Sequence, residues 1–123
     1  MAILNRVIVQ RNGAVLGDRI GEAAGVWGNF KGLMFQKSLP PGDGLVFRPA
    51  RGIHTNFMRF PIDLVFFDAD QRVTRVRPRM VPWRLDFTNA AGVIELPAGA
   101  AAAGDVRPDD QLIFEPSDRE TTS

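Results

Sequence analysis

The chain has 123 residues, a length that suits one domain with its own hydrophobic core. Apolar residues make up 45% of it and charged residues 24%, which excludes an intrinsically disordered chain, and the absence of cysteine excludes disulfides, thiolate nucleophiles and cysteine-ligated metals. The net charge of +1 is unevenly spread, because residues 48–84 hold eight arginines against three aspartates and residues 85–123 hold two arginines against eight acids.

The N-terminal stretch "MAILNRVIVQRNG" is not typical of a targeting segment. Asn5 and Arg6 interrupt its apolar residues, so we expect no signal peptide. No window approaches the roughly 20 apolar residues that a membrane-spanning helix needs. We therefore expect a soluble protein, and the lack of cysteine suits the cytoplasm.

The first two predicted strands form a hairpin. "VIVQ" and "AVLG" flank Asn12 and Gly13, the pair that most readily supplies the two positive φ angles of a type I′ turn. We therefore predict an N-terminal β-hairpin with this turn.

Residues 21–35, "GEAAGVWGNFKGLMF", change to a helical period. Apolar side chains recur every three or four residues, and glycines recur at the same spacing on the opposite side. This predicts one amphipathic helix near residues 22–35. Either this helix only covers an open end of the sheet, or its glycine side lets another backbone or a ligand come close. The apolar positions are Ala23, Trp27, Phe30 and Met34, and the glycines are Gly21, Gly25, Gly28 and Gly32.

The next predicted strands lie in the middle of the chain. "LVFR" follows the break at "LPPGDG", and residues 53–58 and 63–67 form two more strands. "LVFF", residues 64–67, is apolar on both faces, which predicts a central strand covered on both sides.

An arginine-rich strand follows. Arg75, Arg77 and Arg79 are two residues apart, which on a regular strand puts three guanidinium groups on one face. Pro78 and Pro82 are expected to end it, because proline cannot donate to a ladder. Either this face is solvated and its charge is offset by the acidic C-terminal third, or the face meets an anion. We do not expect nucleic acid, since the pI near 8.4 is modest and no aromatic residues interleave with the arginines.

The last third predicts two strands around a short helix. "GVIELP" and "QLIFE" are the strands, and "AGAAAAG" makes one or two helical turns closed by Gly104. We predict an all-β fold, a single compact and mostly antiparallel β-sandwich or barrel over residues 1–115. Residues 116–123, "PSDRETTS", have nothing to bury and are expected to form a flexible C-terminal tail.

Three stretches carry the pattern of a known family: "KGLMFQKSLPPGDGLVFRP", "HTNFMRFPIDLVFFDADQRV" and "VIELPAGAAAAGDVRPDDQLIF". Their order resembles the bacterial and archaeal domain of unknown function 192, also called uncharacterised protein family 0127. The resemblance runs from about Trp27 to Glu115. It implies a single β-sandwich of jelly-roll type and no activity, because none is established for the family.

The chain also departs from the family pattern. Asn56, Phe57, Met58 and Arg59 stand where relatives often carry an aromatic-Trp-Met-Lys-Asn-Thr run, so a site built on that run does not carry over. Gln71 and Asp109 stand where relatives often place glycine in turns. We therefore expect both turns to be relaxed here.

The single histidine, His54, is either a candidate acid or base or a hydrogen-bonded structural group. Its unperturbed pKa near 6.5 suits proton transfer, and Asp63 or Glu95 would orient it. Lone histidines are more often structural, so we predict no catalytic residue. One imidazole is also too few for a transition-metal site, so we predict no metal and no cofactor.

Glu95 in "GVIELP" is a candidate buried carboxylate. Val93 and Glu95 point to one face of the strand and Ile94 and Leu96 to the other. A buried carboxylate needs a partner, and the planar fork of an arginine is the natural one. Arg48 and Arg59 are the candidates, in a structural pair or in a ligand-binding one.

Our functional hypothesis is a non-catalytic binding module for a small polar or anionic ligand, or a peptide. Trp83, in a loop, serves either as a lid over the ligand or as a cap on the core. Two alternatives stay open: a small hydrolase-like enzyme using His54 with a carboxylate, and an interaction domain working through the arginine strand. We expect no membrane partner and a monomer or weak homodimer. The predicted cleft is lined by His54, Arg59, Asp63, Glu95 and Trp83.

Overall fold

The computed structural model describes residues 4–22, 39–48, 50–54, 60–81 and 85–117, and within 50–54 and 85–89 it describes the backbone alone. This part of the chain contains nine β-strands and one short α-helix, which confirms the predicted all-β fold. The elements are β1 Leu4–Val9, β2 Val15–Glu22, β3 Asp43–Phe47, β4 Ala50–His54, β5 Ile62–Phe67, β6 Val73–Met80, β7 Leu85–Ala90, β8 Gly92–Pro97, α1 Ala100–Ala103 and β9 Leu112–Pro116.

The helix predicted near residues 22–35 lies outside the described residues, except at its start. There Glu22 is the last residue of β2 rather than the first of a helix. The described helix, α1, is the short turn predicted in "AGAAAAG". Gly104 closes it, because its N–H donates to the carbonyl oxygen of Ala100 at 3.0 Å.

Seven strands form one sheet in the order β6–β5–β8–β3–β2–β1–β9. Neighbouring strands run antiparallel except β2 and β3, which run parallel. An isolated bridge joins Arg72 to Gln111, immediately before the two edge strands β6 and β9. The edges therefore meet at one end, and the sheet is curled into a half-barrel.

A two-stranded sheet of β4 and β7 extends from the half-barrel. Its antiparallel pairing continues that of β3 with β8, since Phe47 pairs with Val93 and, just beyond, Ala50 pairs with Ala90. The four strands thus make one long ribbon that bends where β3 leads into β4. His54 pairs with Leu85 at the end of this ribbon that is farthest from β8.

The side chains of β5 and β8 enter two hydrophobic clusters, because they alternate between the faces of the sheet. The inner core includes Val65 and Phe67 of β5 and also reaches both edge strands, through Val73 of β6 and Leu112 of β9. It therefore fills the inside of the half-barrel. On the opposite face lies the outer-face cluster of Ile62, Leu64, Phe66, Met80 and Val93, against which Leu39, Leu45, Phe47, Phe60 and Ala90 pack.

The "LVFF" prediction is confirmed, since all six residues of β5 are buried and the strand lies between β6 and β8. The N-terminal hairpin is also confirmed, but its turn is not type I′. In the turn Gly13 has a positive φ of 73° and Asn12 does not. Asn12 acts through its side chain, which donates from Nδ2 to the carbonyl oxygen of Gly104 at 2.9 Å and so ties the hairpin to α1.

Two turns adopt a left-handed backbone without glycine. Gln71 has a φ of 64° and Asp109 a φ of 75°, so the expectation that these turns relax is wrong. Such a backbone costs a non-glycine residue about 1 to 2 kcal/mol. Hydrogen bonds hold both turns, since Gln71 N–H donates to Asp68 O at 2.9 Å and Asp109 N–H donates to Val73 O at 2.7 Å.

The arginine-rich strand, β6, runs through Pro78 to Met80, so the prediction that Pro78 ends it is wrong. Proline is tolerated because β6 is an edge strand whose register shifts after Arg77. Arg75 and Arg77 lie on the face of the outer-face cluster. The shift and the φ of 50° at Arg79 interrupt the regular row of three guanidinium groups.

The predicted C-terminal tail begins two residues too early. Pro116 belongs to β9, and the N–H of Ser117 donates to the carbonyl oxygen of Leu4 at 2.9 Å. The hydroxyl of Ser117 also donates to the carbonyl oxygen of Asp18. Residues 118–123 lie outside the described part of the chain.

Candidate functional site

Asp63 is a fully buried carboxylate on the inner face of β5. Its Oδ1 accepts a hydrogen bond from the backbone N–H of Arg79 at 2.8 Å. Its Oδ2 accepts two more, from the N–H groups of Gly99 at 3.0 Å and Ala101 at 2.9 Å. The side chain therefore joins the irregular end of β6 to the start of α1, and both of its oxygens are already engaged.

Replacing Asp63 by asparagine is expected to lower the free energy of unfolding by about 2 to 3 kcal/mol. An amide has only one acceptor oxygen, so at least one of the three buried N–H groups would face an NH₂ group instead. Urea unfolding measures the loss. Asp70→Asn is the matched control, since Asp70 is exposed and should change stability by less than about 0.5 kcal/mol. Equal effects of the two substitutions would contradict the anchoring role of Asp63.

Glu95 is a buried carboxyl on β8, with 6% of its surface exposed. It lies between Leu64 of β5 and Leu45 of β3, directly opposite each in the ladder. Within the described part of the chain, no side chain donates a hydrogen bond to it or forms an ion pair with it. Burial in this apolar row raises the pKa of Glu95 from its ordinary value of 4.5 to about 8.

The strand register separates the two carboxylates of the predicted cleft. Asp63 pairs with Leu96 and Glu95 pairs with Leu64, so Asp63 points into the inner core and Glu95 into the outer-face cluster. The structure thus does not bring them together.

The other residues predicted for the cleft are only partly described. The backbone of His54 lies at the far end of the ribbon, and its side chain, like Arg59 and Trp83, lies outside the described residues. Arg48 is not the partner of Glu95, because its Nε faces Oε1 of Glu22 at 3.1 Å. The grouping of His54, Arg59 and Trp83 stays a prediction.

A groove that the sequence did not reveal lies beside α1. Its volume is about 890 Å³, and we call it the α1 groove. The first turn of the helix forms one wall, and the N-terminal part of β2 forms another. Its lining residues are Arg6, Ala14, Val15, Leu16, Gly17, Asp18, Pro41, Gly42, Pro97, Ala98, Gly99, Ala100, Ala103 and Gly104.

Two of the three stretches quoted for the family resemblance line this groove, and the third supports one of its walls. Pro41 and Gly42 come from "LPPGDG", and Pro97 to Gly99 come from "ELPAG". Asp63, from "FPID", does not line the groove but holds Gly99 and Ala101 through their N–H groups. The only sequence signal was the concentration of glycine, alanine and proline, which we interpreted as turns and a short helix.

Two charged side chains of the described part of the chain, Arg6 and Asp18, line the α1 groove. Arg6 forms an ion pair with Glu115, with Nε donating to Oε1 at 2.6 Å. Among the described residues, the lining includes no serine, threonine, histidine or lysine. It therefore offers charge and apolar surface to a ligand, and among the described residues the carboxylate of Asp18 is its one side chain of a nucleophilic type.

The described ranges contain neither a cluster of metal ligands nor a membrane-spanning helix. Within residues 4–22, 39–48, 50–54, 60–81 and 85–117, no three or more His, Asp or Glu side chains lie together as potential metal ligands. In the same ranges, no helix has the length and apolar character to cross a bilayer.

Two solved structures share the fold. A protein described as a "putative transcription regulator" from Sinorhizobium meliloti 1021 is 21% identical, with a TM-score of 0.80, 93% of this chain covered and 94% of that one. A protein of unknown function from Novosphingobium aromaticivorans DSM 12444 is 22% identical, with a TM-score of 0.76, 91% of this chain covered and 84% of that one. At these identities the likeness shows the fold alone.

Comparison with curated proteins gives no match. The family model of domain of unknown function 192, described as "Uncharacterized ACR", matches residues 7–114. The resemblance noted in the three sequence stretches is thereby confirmed, and the function of this family is not established. This chain belongs to the family of domain of unknown function 192.

Proposed function

We propose that the protein is a non-catalytic binding module that holds a small polar or anionic molecule, or a short peptide, in the α1 groove. The observation that carries the proposal is the groove itself. Its volume of about 890 Å³ falls within the roughly 300 to 1,000 Å³ typical of small-molecule sites. We further propose that it acts in the cytoplasm, which a chain without cysteine suits.

The walls of the groove are fixed before any ligand arrives. Asp63 holds the Gly99–Ala101 turn, and the φ of 98° at Gly99 is one that residues with a side chain rarely adopt. The side chain of Asn12 donates to the carbonyl oxygen of Gly104 and so fixes the hairpin against α1. A site whose backbone is already ordered loses less entropy on binding.

The same groups argue against the hydrolase-like alternative. The described residues that line the groove include no serine, threonine, histidine or lysine, and the two oxygens of Asp63 are engaged by three N–H groups. A catalytic pair of His54 with Asp63 would have to break these bonds. The description of the S. meliloti protein names transcription, but a likeness at 21% identity does not bring that role to this chain.

The test uses two alanines of α1. Ala102 and Ala103 are both exposed, but only Ala103 lines the groove. A set of amino acids, dipeptides, carboxylic acids and phosphate esters is screened against the wild type by ligand-observed NMR. Ala103→Trp should weaken the hits by about tenfold or more, which corresponds to about 1.4 kcal/mol. Ala102→Trp, the matched control, should leave them unchanged.

Either of two results would reject the proposal. One is a screen without hits, and the other is a set of hits that both tryptophan variants bind as tightly as the wild type. Turnover of a hit, followed by the appearance of its hydrolysis product, would favour the enzyme alternative. His54→Asn would then be expected to abolish that turnover.

A further inference from the structure

The guanidinium of Arg48, the residue that follows β3, lies over two aromatic rings. Its Cζ lies 5.1 Å from the ring centroid of Phe67 and 4.9 Å from that of Phe114. The two rings belong to β5 and β9 and lie 5.5 Å apart. A guanidinium group in this position is attracted by the faces of both rings, which restricts its motion.

Glu22, at the end of β2, provides a third contact for this guanidinium. Its Oε1 lies 3.1 Å from Nε of Arg48. The side chains of Arg48 and Glu22 are 39% and 50% exposed. In the described part of the chain, nothing accepts a hydrogen bond from the two Nη groups of Arg48. Among the described residues, the Nε side thus has a partner, whereas the two Nη groups have none.

We propose that Arg48 binds an oxyanion, the carboxylate or phosphate group of a small molecule, through its two Nη groups. The planar fork of arginine matches two oxygens of such a group, and a fork already held in place loses little entropy when it binds. The positive charge of the guanidinium itself attracts an anion. Glu22 offsets part of this attraction but also fixes the orientation of the fork.

The anion site is independent of the α1 groove. Gly42, which lines the groove, immediately precedes β3, whereas Arg48 follows its last residue. The two sites therefore lie at opposite ends of this strand. A negative result for one site therefore does not contradict the proposal for the other.

A purely structural role for Arg48 is the competing explanation. The guanidinium would then serve only to cover Phe67, whose ring is fully buried. Arg19 separates the two explanations. It is 36% exposed, and its Nε lies 3.2 Å from Oδ1 of Asp43, so it matches Arg48 in exposure and ion pairing. It differs in having no described aromatic ring beneath it.

The experiment follows the arginine side-chain resonances of the wild-type protein by NMR. Inorganic phosphate and acetate are titrated separately, with sodium chloride at matched ionic strength as the reference. We expect phosphate, acetate or both to shift the Arg48 resonances saturably and several-fold more than those of Arg19. The anion that causes the saturable shift shows whether the site binds a phosphate or a carboxylate group. Equal shifts of both arginines, equal shifts with chloride, or no saturable shift would overturn the proposal.

Two variants provide a second readout. Arg48→Lys keeps the charge but loses the fork, so it should lose the extra rise in melting temperature that the active anion gives over chloride. Arg19→Lys should keep that rise. If both variants keep it, the stabilisation comes from general salt effects and the site is rejected. If Arg48→Lys does not fold, the wild-type titration still decides.

Discussion

Raising the pH from about 4.5 to about 8 is expected to lower the free energy of unfolding by about 5 kcal/mol through Glu95 alone, because its pKa differs by that interval between the two states. The unfolded chain releases this proton above about pH 4.5, whereas the folded chain retains it to about pH 8. The unfolded state therefore binds fewer protons in this window, and stability falls as pH rises. The loss levels off above about pH 8.

Glu95→Gln isolates this contribution. The amide has nearly the same shape and does not ionise, so the variant should be more stable than the wild type by about 3 kcal/mol at pH 7. Urea unfolding of both proteins across the pH range measures the difference. Asp70→Asn, the exposed control, should follow the wild-type curve. Parallel curves for the wild type and Glu95→Gln would show that Glu95 finds a partner or reaches water.

Replacing Phe66 by alanine is expected to lower the free energy of unfolding by about 3 to 5 kcal/mol. The ring is fully buried, and it packs in the outer-face cluster beneath Arg75, whose Cζ lies 5.8 Å from its centroid. β5 has a hydrogen-bonded neighbour on each side, so the backbone has little freedom to collapse into the cavity. The cost should exceed that of Phe114→Ala, because Phe114 is only partly buried.

Urea unfolding also measures the Phe66 effect. The slope of the unfolding free energy against urea should stay unchanged, which shows that stability rather than compactness has changed. A loss below about 1 kcal/mol would contradict the central position of β5, since large losses are diagnostic of cavities in a core.

The sequence predicted those elements that a short local pattern of residues indicates. "LVFF" is apolar at every position and forms the fully buried part of β5. In β8 the alternation placed Glu95 and Val93 on one face, and the ladder confirms it. The glycine after "GAAAA" predicted the end of α1, which is also a local effect. Local patterns sufficed in each of these cases.

Tertiary contacts determined what the sequence did not predict. Asp63 was predicted to line the cleft, yet three N–H groups from β6, Gly99 and α1 satisfy its carboxylate inside β5. Of the two arginines predicted as partners of Glu95, Arg48 is instead held by Glu22 and two rings, and Arg59 lies outside the described residues. The α1 groove joins segments far apart in sequence, so no local motif predicted it.

The pairing of the first and last strands of the sheet affects how the protein folds during synthesis. β1 is hydrogen-bonded to β9 along five residue pairs, from Asn5 with Pro116 to Val9 with Leu112. β9 must leave the ribosome before it can pair with β1 and cover the edge of that strand. Until then the nascent chain exposes an unpaired strand, a feature that promotes association between chains. Contacts of such long sequence separation also place this fold among the slower folders of its size.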